Sequence, residues 1–193
     1  NIIEIVNLFL KGSKCKLFLI GFALLIISCG SIISTIIPFN NLPNPLGFNK
    51  VGTKIFTWED PVRLEWFTAN DSDYRKIVVQ VWYPAVNISG MPAPYIDQWK
   101  KRIGPIAEQI ELPKMFIYAI KNIQSNSYLN AEIDNLHKPF PLIIFSHGLG
   151  GTKIQNSINI ESLVSNGYIV FALDHPYDAG ITVFNDSTTA LFD

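Results

Sequence analysis

The stretch FPLIIFSHGLGGTKIQNSINIESLVSNGYIVFALDH, residues 140–175, decides how this chain folds. Its first six residues, FPLIIF, are a short continuous apolar run, which predicts a strand covered on both faces. SHGLGGT, residues 146–152, interrupts that run with three glycines. Ile154, Ile158, Ile160, Leu163 and Val164 then recur at roughly helical spacing and end at Asn166-Gly167, a favourable helix stop. YIVFAL, residues 168–173, is a second apolar strand, closed by Asp174-His175-Pro176. Strand, glycine turn, helix and strand make one βαβ unit, so the sheet is at least partly parallel and the fold class is α/β.

Upstream, RKIVVQVWYPA (residues 75–85) is a β-branched and aromatic run that places Ile77, Val79, Val81 and Tyr83 on one face of a strand. Residues 95–110 and 113–123 carry helical patterns, and Pro113 suits a first helical turn. Residues 38–52, rich in Pro, Asn and Gly, read as a linker. No internal repeat or low-complexity tract is present.

The 193 residues are 48% hydrophobic and only 16% charged, with a net charge of −1 and mean hydropathy of +0.23. Near-neutral charge gives no electrostatic case for a nucleic-acid partner. Two cysteines exclude a disulfide scaffold or a multi-cysteine zinc fold. The apolar excess sits at the front, in LFLIGFALLIISCGSIISTII, residues 17–37, which holds no charge and no proline. At 1.5 Å per residue a helix of that length spans about 31 Å, enough for a hydrocarbon core of roughly 30 Å. Lys11, Lys14 and Lys16 precede it, which places the N-terminus in the cytoplasm and everything after Pro38 outside. Three readings compete: a retained single-pass signal anchor, a lipoprotein signal with the lipid on Cys29 of Ile26-Ile27-Ser28-Cys29, and a buried core helix. A cleaved signal and a secreted domain is a further outcome. The expected organisation is a short cytoplasmic N-terminus (1–16), the transmembrane or signal-anchor helix (17–37), the linker (38–52) and a partial α/β domain (53–193).

The motif that carries chemistry is SHGLGG. A strand ending in His147-Gly148-Leu149-Gly150-Gly151 puts Cβ-free backbone at the carboxyl edge of the sheet, where open α/β folds bind ligands. Glycines let backbone N–H groups approach a substrate closely. In α/β-hydrolases such a loop supplies an N–H of the oxyanion hole, and losing one such donor costs roughly 3–4 kcal/mol of barrier. The competing reading is a tight strand-to-helix turn without chemistry.

With these blocks in order, FPLIIFSHGLGG and the helix and YIVFALDH after it, the chain resembles the platelet-activating factor acetylhydrolases of the plasma type (isoform II) and their bacterial relatives. FTANDSDYRKIVVQVWYPA (residues 67–85) and DHPYDAGITVF (residues 174–184) fit the bacterial branch. The resemblance runs from about residue 51 to 184 and is weakest over 95–130. It implies the N-terminal part of an α/β-hydrolase sheet, Leu149 as oxyanion donor through its backbone N–H, and His147, Gly148, Gly150 and Gly151 as the loop that shapes it. It also implies hydrolysis of short or oxidised acyl esters of phospholipids by a Ser-Asp-His triad, with no metal and no cofactor. The partners implied are a phospholipid or other small ester, and a membrane.

One departure is large. No serine has glycine at both −2 and +2, so the nucleophile elbow G-x-S-x-G is absent. In this fold serine, acid and histidine all follow the strand after YIVFAL, so the triad is expected after Asp193. The chain then reads as the front of a hydrolase, inactive by itself, with the edge of YIVFAL expected to be unpaired. The remaining candidates have bland readings. Asp174-His175 sits one strand too early for a triad, and Asp174, His175 and Asp178 are badly spaced for a metal. Ser146 cannot face the adjacent His147, and His137 reads as a loop residue. Trp58, Trp66, Trp82 and Trp99 read as core or membrane-facing anchors. Sequons begin at Asn70, Asn87 and Asn185, in a chain with 16 Asn. Three functions stay open: a membrane-anchored esterase for short-chain phospholipid esters, a general carboxylesterase or lipase of the same fold, and a non-catalytic truncated membrane protein.

Overall fold

The computed structural model describes residues 16–25, 42–88, 90–135 and 139–193. The chain divides into two compact units, residues 1–39 and 40–193. In the first, residues 16–25 form helix α1, whose apolar side chains, Phe18 and Leu24 among them, are exposed. Among the described residues no helix is long and apolar enough to cross a membrane. The rest of the proposed span, with Ser28 and Cys29, lies outside the described residues, as does Cys15.

The second unit is a mixed sheet with few helices. Its strands are β1 (Lys50–Leu64), β2 (Tyr74–Asn87), β3 (Pro92–Pro94), β4 (Gln124–Leu129), β5 (Glu132–Ile133), β6 (Leu142–Ser146) and β7 (Ile169–Asp174). The spatial order is β3-β4-β1-β2-β7-β6, with β5 beside β2. β8 (Ile181–Val183) and β9 (Thr189–Leu191) form a separate antiparallel hairpin. Helices α2 (Trp99–Gln109) and α3 (Lys114–Ile117), a 3-10 turn (Tyr118–Asn122) and α4 (Ser157–Ser165) complete it.

The βαβ unit is present: β6 and β7 pair in parallel, Leu142 opposite Ile169 through Ser146 opposite Leu173, with α4 between them in the chain. Because side chains alternate along a strand, the unit has two unlike faces. On one, Ile160 and Val164 of α4 pack on Val51, Trp82, Val170 and Ala172, with Ile143 and Phe145 beside them. Buried Glu161 ties α4 to β4 by accepting from Ser127 Oγ and from Asn126 Nδ2 at 3.1 Å. The other face gathers Val79, Val81 and Tyr83 with Phe56, Ile77, Ile169, Phe171 and Leu173, and no helical residue joins that cluster.

Several expectations are corrected. Among the described residues FPLIIF is not covered on both faces: Leu142 and Ile144 are 55% and 66% exposed, and no described helix packs over their face. Within the βαβ unit the strand without an outer neighbour among the described residues is β6, not YIVFAL, since β7 is paired on one side to β2 and on the other to β6. Residues 50–52, read as linker, start β1, and Val51 is in the core. The helix expected from residue 95 starts at Trp99, after Gln98 in a left-handed conformation. The one expected over 113–123 is a short α-turn followed by a 3-10 turn.

An open strand edge beside exposed Leu142 and Ile144 is a template for pairing with another chain. Residues 40–193 should therefore associate at micromolar concentration in sedimentation velocity, and Ile144→Lys should shift them toward monomer. A wild-type monomer with a sharp cooperative melt would contradict this.

Candidate active site

β6 and β7 end side by side, and their carboxyl ends bring Ser146, His147, Asp174 and His175 together. The glycine loop then folds back over this edge. Gly151 N–H donates to Gly148 O at 2.8 Å, and His147 Nδ1 lies 2.8 Å from the same oxygen. His147 Nε2 accepts from His175 N–H at 3.2 Å. Together these bonds make Nδ1 of buried His147 the donor and Nε2 the acceptor. In a trans peptide the C=O and the following N–H point in opposite directions. With two donors holding the Gly148 carbonyl, the N–H of Leu149 is turned away from them, and no acceptor among the described residues takes it. Leu149 is 79% exposed and lines a cavity of about 320 Å³ with Ser146, His147, Gly148, His175 and Asp178.

The rest of the loop is held by backbone and by one glutamine. Gly150, at φ 72°, donates from its N–H to Asp178 O at 2.8 Å. Gly150 O accepts from Gln109 Nε2 at 2.6 Å and from Gly180 N–H at 3.2 Å. A positive φ is what glycine adopts without strain, and a Cβ on Gly150 would also run into Gln109.

The loop's exit is fixed by charge. Lys153 N–H donates to Asp174 Oδ1 at 2.6 Å, and Arg102 lies 3.2 Å from Asp174 Oδ2. Lys153 Nζ reaches Asp97 at 2.8 Å, Arg102 reaches Asp97 at 3.1 Å, and Arg102 also donates to Ile181 O at 2.8 Å. The side chains of Arg102, Lys153 and Asp174 are 0% exposed. Burial pushes the Asp97 carboxyl up, but the adjacent Lys153 and Arg102 outweigh it and hold Asp97 below the usual carboxylate range. Two acids and two bases therefore balance inside the protein, joining α2, the loop, β7 and β8.

This arrangement decides between the readings of Asp174-His175. Asp174 faces inward to Arg102 and Lys153, so it is neither a partner for His175 nor a ligand. Among the described residues no three His, Cys, Asp or Glu side chains come together as a cation site. Ser146 does not meet His147, but it does meet a histidine: Ser146 Oγ is 2.8 Å from His175 Nε2. Burial, with His147 beside it, holds His175 below the ordinary histidine range against the opposite pull of Asp178 and Asp174, so its ring is neutral at neutral pH. A neutral imidazole against a hydroxyl is the first half of a nucleophile-base pair, but no carboxylate is hydrogen-bonded behind it among the described residues. His137 lies outside the described residues. Trp82 is core, whereas Trp58 and Trp66 are exposed and Trp99 meets Tyr118 edge-on. Asn70, Asn87 and Asn185 are all exposed.

Arg102, Gln109 and Asp97 carried no signal in the sequence. Asp97 and Arg102 are five residues apart, but their other partners and that of Gln109 lie 41 to 79 residues away, beyond any local pattern. Lys153 stood next to the glycine motif and was the one member of the cluster within reach of it.

The family model for platelet-activating factor acetylhydrolase, isoform II, matches residues 41–191. The chain belongs to this acetylhydrolase family. Among solved structures it is similar to a ferulic acid esterase from Streptomyces cinnamoneus, with a TM-score of 0.64 and 23% identity. That likeness, covering 79% of this chain, is one of fold. The chain spans 41% of the esterase's length. None of the curated proteins compared with the chain is a significant match. The acetylhydrolase family and the esterase-like fold agree with the α/β class read from residues 140–175.

Proposed function

We propose that this acetylhydrolase-family chain is the front part of a serine esterase that cleaves short-chain acyl esters of phospholipids, of the 1-alkyl-2-acetylglycerophosphocholine kind. The observation that carries the reading is the Gly148–Leu149 peptide, turned so that the Leu149 N–H has no acceptor among the described residues and stands beside a cavity at the sheet's carboxyl edge. An ester carbonyl seated on that N–H gains negative charge on its oxygen as the tetrahedral intermediate forms. A fixed backbone dipole favours that charge more than it favours the ground state. His147 and Gly151 keep the peptide in place, and the quartet around Asp174 anchors the loop's exit. The nucleophile, acid and base belong to the residues that follow Asp193 in this reading.

The test uses the protein carrying whatever its reading frame encodes after Asp193. Leu149→Pro deletes the N–H, whereas Leu149→Ala keeps it. Proline should lower kcat on p-nitrophenyl acetate by about 10²–10³ with little change in KM, and alanine should not. Equal rates in the two variants would remove Leu149 as the donor. Faster cleavage of an acetyl than of a palmitoyl ester at the same phospholipid position supports the acetylhydrolase substrate. Equal rates would favour a general carboxylesterase.

The exposed apolar helix α1 and the lysines before it support a tether that holds the globular part outside the membrane, near a lipid substrate. Protease accessibility of residues 50–193 in intact cells tests the orientation, and recovery wholly in the soluble fraction would remove the tether. Lipid labelling lost on Cys29→Ala would identify a lipid anchor instead of an uncleaved helix.

A further inference from the structure

A cavity of about 350 Å³ lies on the face of β1 and β2 opposite the Val79, Val81 and Tyr83 cluster. Its walls come from Ile55 of β1, Gln80 of β2, Ala93 of β3, Asp97 just before α2, and Val183 and Phe184 at the end of β8. It shares no residue with the cavity at Leu149. We propose that this cavity binds a neutral small molecule with an apolar body and a hydroxyl group, an alcohol, which donates to Gln80 and Asp97. The proposal does not depend on the reading of Leu149 as oxyanion donor.

The polar groups of the cavity select a ligand that donates. Gln80 is only 7% exposed. Its Nε2 donates to Thr53 Oγ1 at 3.0 Å, which fixes the amide, and its Oε1 has no hydrogen-bond partner among the described residues. A buried acceptor left unpaired is costly, and native proteins carry few of them. Asp97 supplies a second acceptor. Lys153 and Arg102 both converge on its Oδ1, at 2.8 and 3.1 Å, whereas its Oδ2 has a long contact with Arg102 at 3.4 Å. The Asp97 side chain is 17% exposed and those of its two cations are 0% exposed, so a group entering from the cavity meets the carboxylate first. Half-buried Tyr95 can donate or accept, and the remaining polar side chains around the cavity, Gln98, Asn130 and Asn185, are exposed.

Charge decides against an ionic ligand. Asp97 and Asp174 already balance Arg102 and Lys153, so a cation would approach two buried positive charges with no free counter-charge. An anion would meet acceptors at both Gln80 and Asp97. The apolar wall of Ile55, Ala93, Val183 and Phe184 suits a hydrocarbon body, and the volume falls within the roughly 300–1,000 Å³ of small-molecule sites. The backbone points the same way. Gln98, at φ 49° and ψ 38°, borders the cavity in a left-handed conformation that a glutamine adopts only under strain, and such strain gathers at ligand sites.

The experiment titrates the ¹⁵N-labelled 193-residue chain with benzyl alcohol, benzyl methyl ether and benzylammonium, which share one apolar body. The ether cannot donate a hydrogen bond, and the ammonium donates but is charged. Benzyl alcohol should shift the Gln80 side-chain amide and the backbone amides of Asn130 and Val183 saturably. It should bind about tenfold more tightly than the ether, the equivalent of one hydrogen bond to a buried acceptor, and more tightly than benzylammonium. Gln80→Leu, read at Asn130 and Val183, should bring the alcohol and the ether to within about twofold of each other. If Gln80→Leu does not fold, the order of the three ligands on the wild-type chain decides. Equal affinity of alcohol and ether on the wild type would mean that Gln80 and Asp97 receive no donor from the ligand, and the proposal fails. Shifts that never saturate would show an adventitious additive only, and it fails. It fails also if the saturable shifts appear at Ile169 and Phe171, which line a different apolar cavity on the opposite sheet face, and not at Asn130 and Val183.

Discussion

Asp174→Ala should lower the stability of residues 40–193 by about 3–5 kcal/mol, the range for breaking a buried ion pair by removing one partner. The size follows from what is left behind. Arg102 and Lys153, both with fully buried side chains, would face Asp97 alone, and the backbone N–H of Lys153 would lose its acceptor. Burying a charge without its partner is far more costly than never having placed the pair there. With a urea dependence of about 2 kcal/mol per molar, the midpoint should fall by roughly 1.5–2.5 M, followed by circular dichroism. Since a domain's whole stability is about 5–15 kcal/mol, failure to accumulate as folded protein is the same result seen in another way. A contrast variant isolates the electrostatic part: Lys76→Ala removes one side of an exposed pair with Glu59 and should change the midpoint little. An unchanged midpoint in Asp174→Ala would mean that water reaches the quartet and that Asp174 does not anchor the loop.

The same cluster shows what the sequence could and could not reveal. Residues 140–175 announced the βαβ unit because both strands and the helix between them are local, and the glycine turn punctuates them. The face of β2 that carries Val79, Val81 and Tyr83 was equally legible, since alternation along one strand is a local property. β1 was missed. Its run includes Pro61 and several exposed positions, and it becomes a strand by pairing along β2, with Lys50 opposite Ala85. FPLIIF was misjudged for a related reason. A continuous apolar run suits a strand covered on both sides, but composition does not say whether the covering elements are at hand. In this chain α4 covers the Ile143 and Phe145 side only. Within the site, the glycines and His147 stood out as a motif. The pairing of Ser146 with His175 depended on two strand ends meeting at a register that only the sheet defines.

That pairing makes the second large prediction a sharp one. The 193-residue chain should hydrolyse p-nitrophenyl acetate no faster than its own Ser146→Ala variant, although it has a serine, a neutral histidine and the proposed oxyanion donor, Leu149, at one cavity. Ser146 sits at the end of a strand, in the sequence Phe145-Ser146-His147-Gly148, and not in the sharp strand-to-helix turn that exposes a hydrolase nucleophile. His175 is held by burial in the form that could accept a proton, but the carboxylate next to it in sequence is engaged by Lys153 and Arg102. Loss of the acid alone costs a triad enzyme about 3 × 10⁴ in kcat, and loss of the serine or histidine about 2 × 10⁶. An unsupported pair therefore lies several orders of magnitude below a complete one, and the oxyanion loop by itself contributes only about 10³–10⁴ over water, in an assembled site. A fluorophosphonate probe gives an independent readout, because it reports an activated serine without requiring turnover. Ser146 should remain unlabelled at neutral pH under conditions that label a serine esterase to completion. Labelling at Ser146 that is lost in His175→Ala, together with turnover lost in Ser146→Ala, would show instead that these two strand ends form a working dyad. The nucleophile would then lie at Ser146, not beyond Asp193.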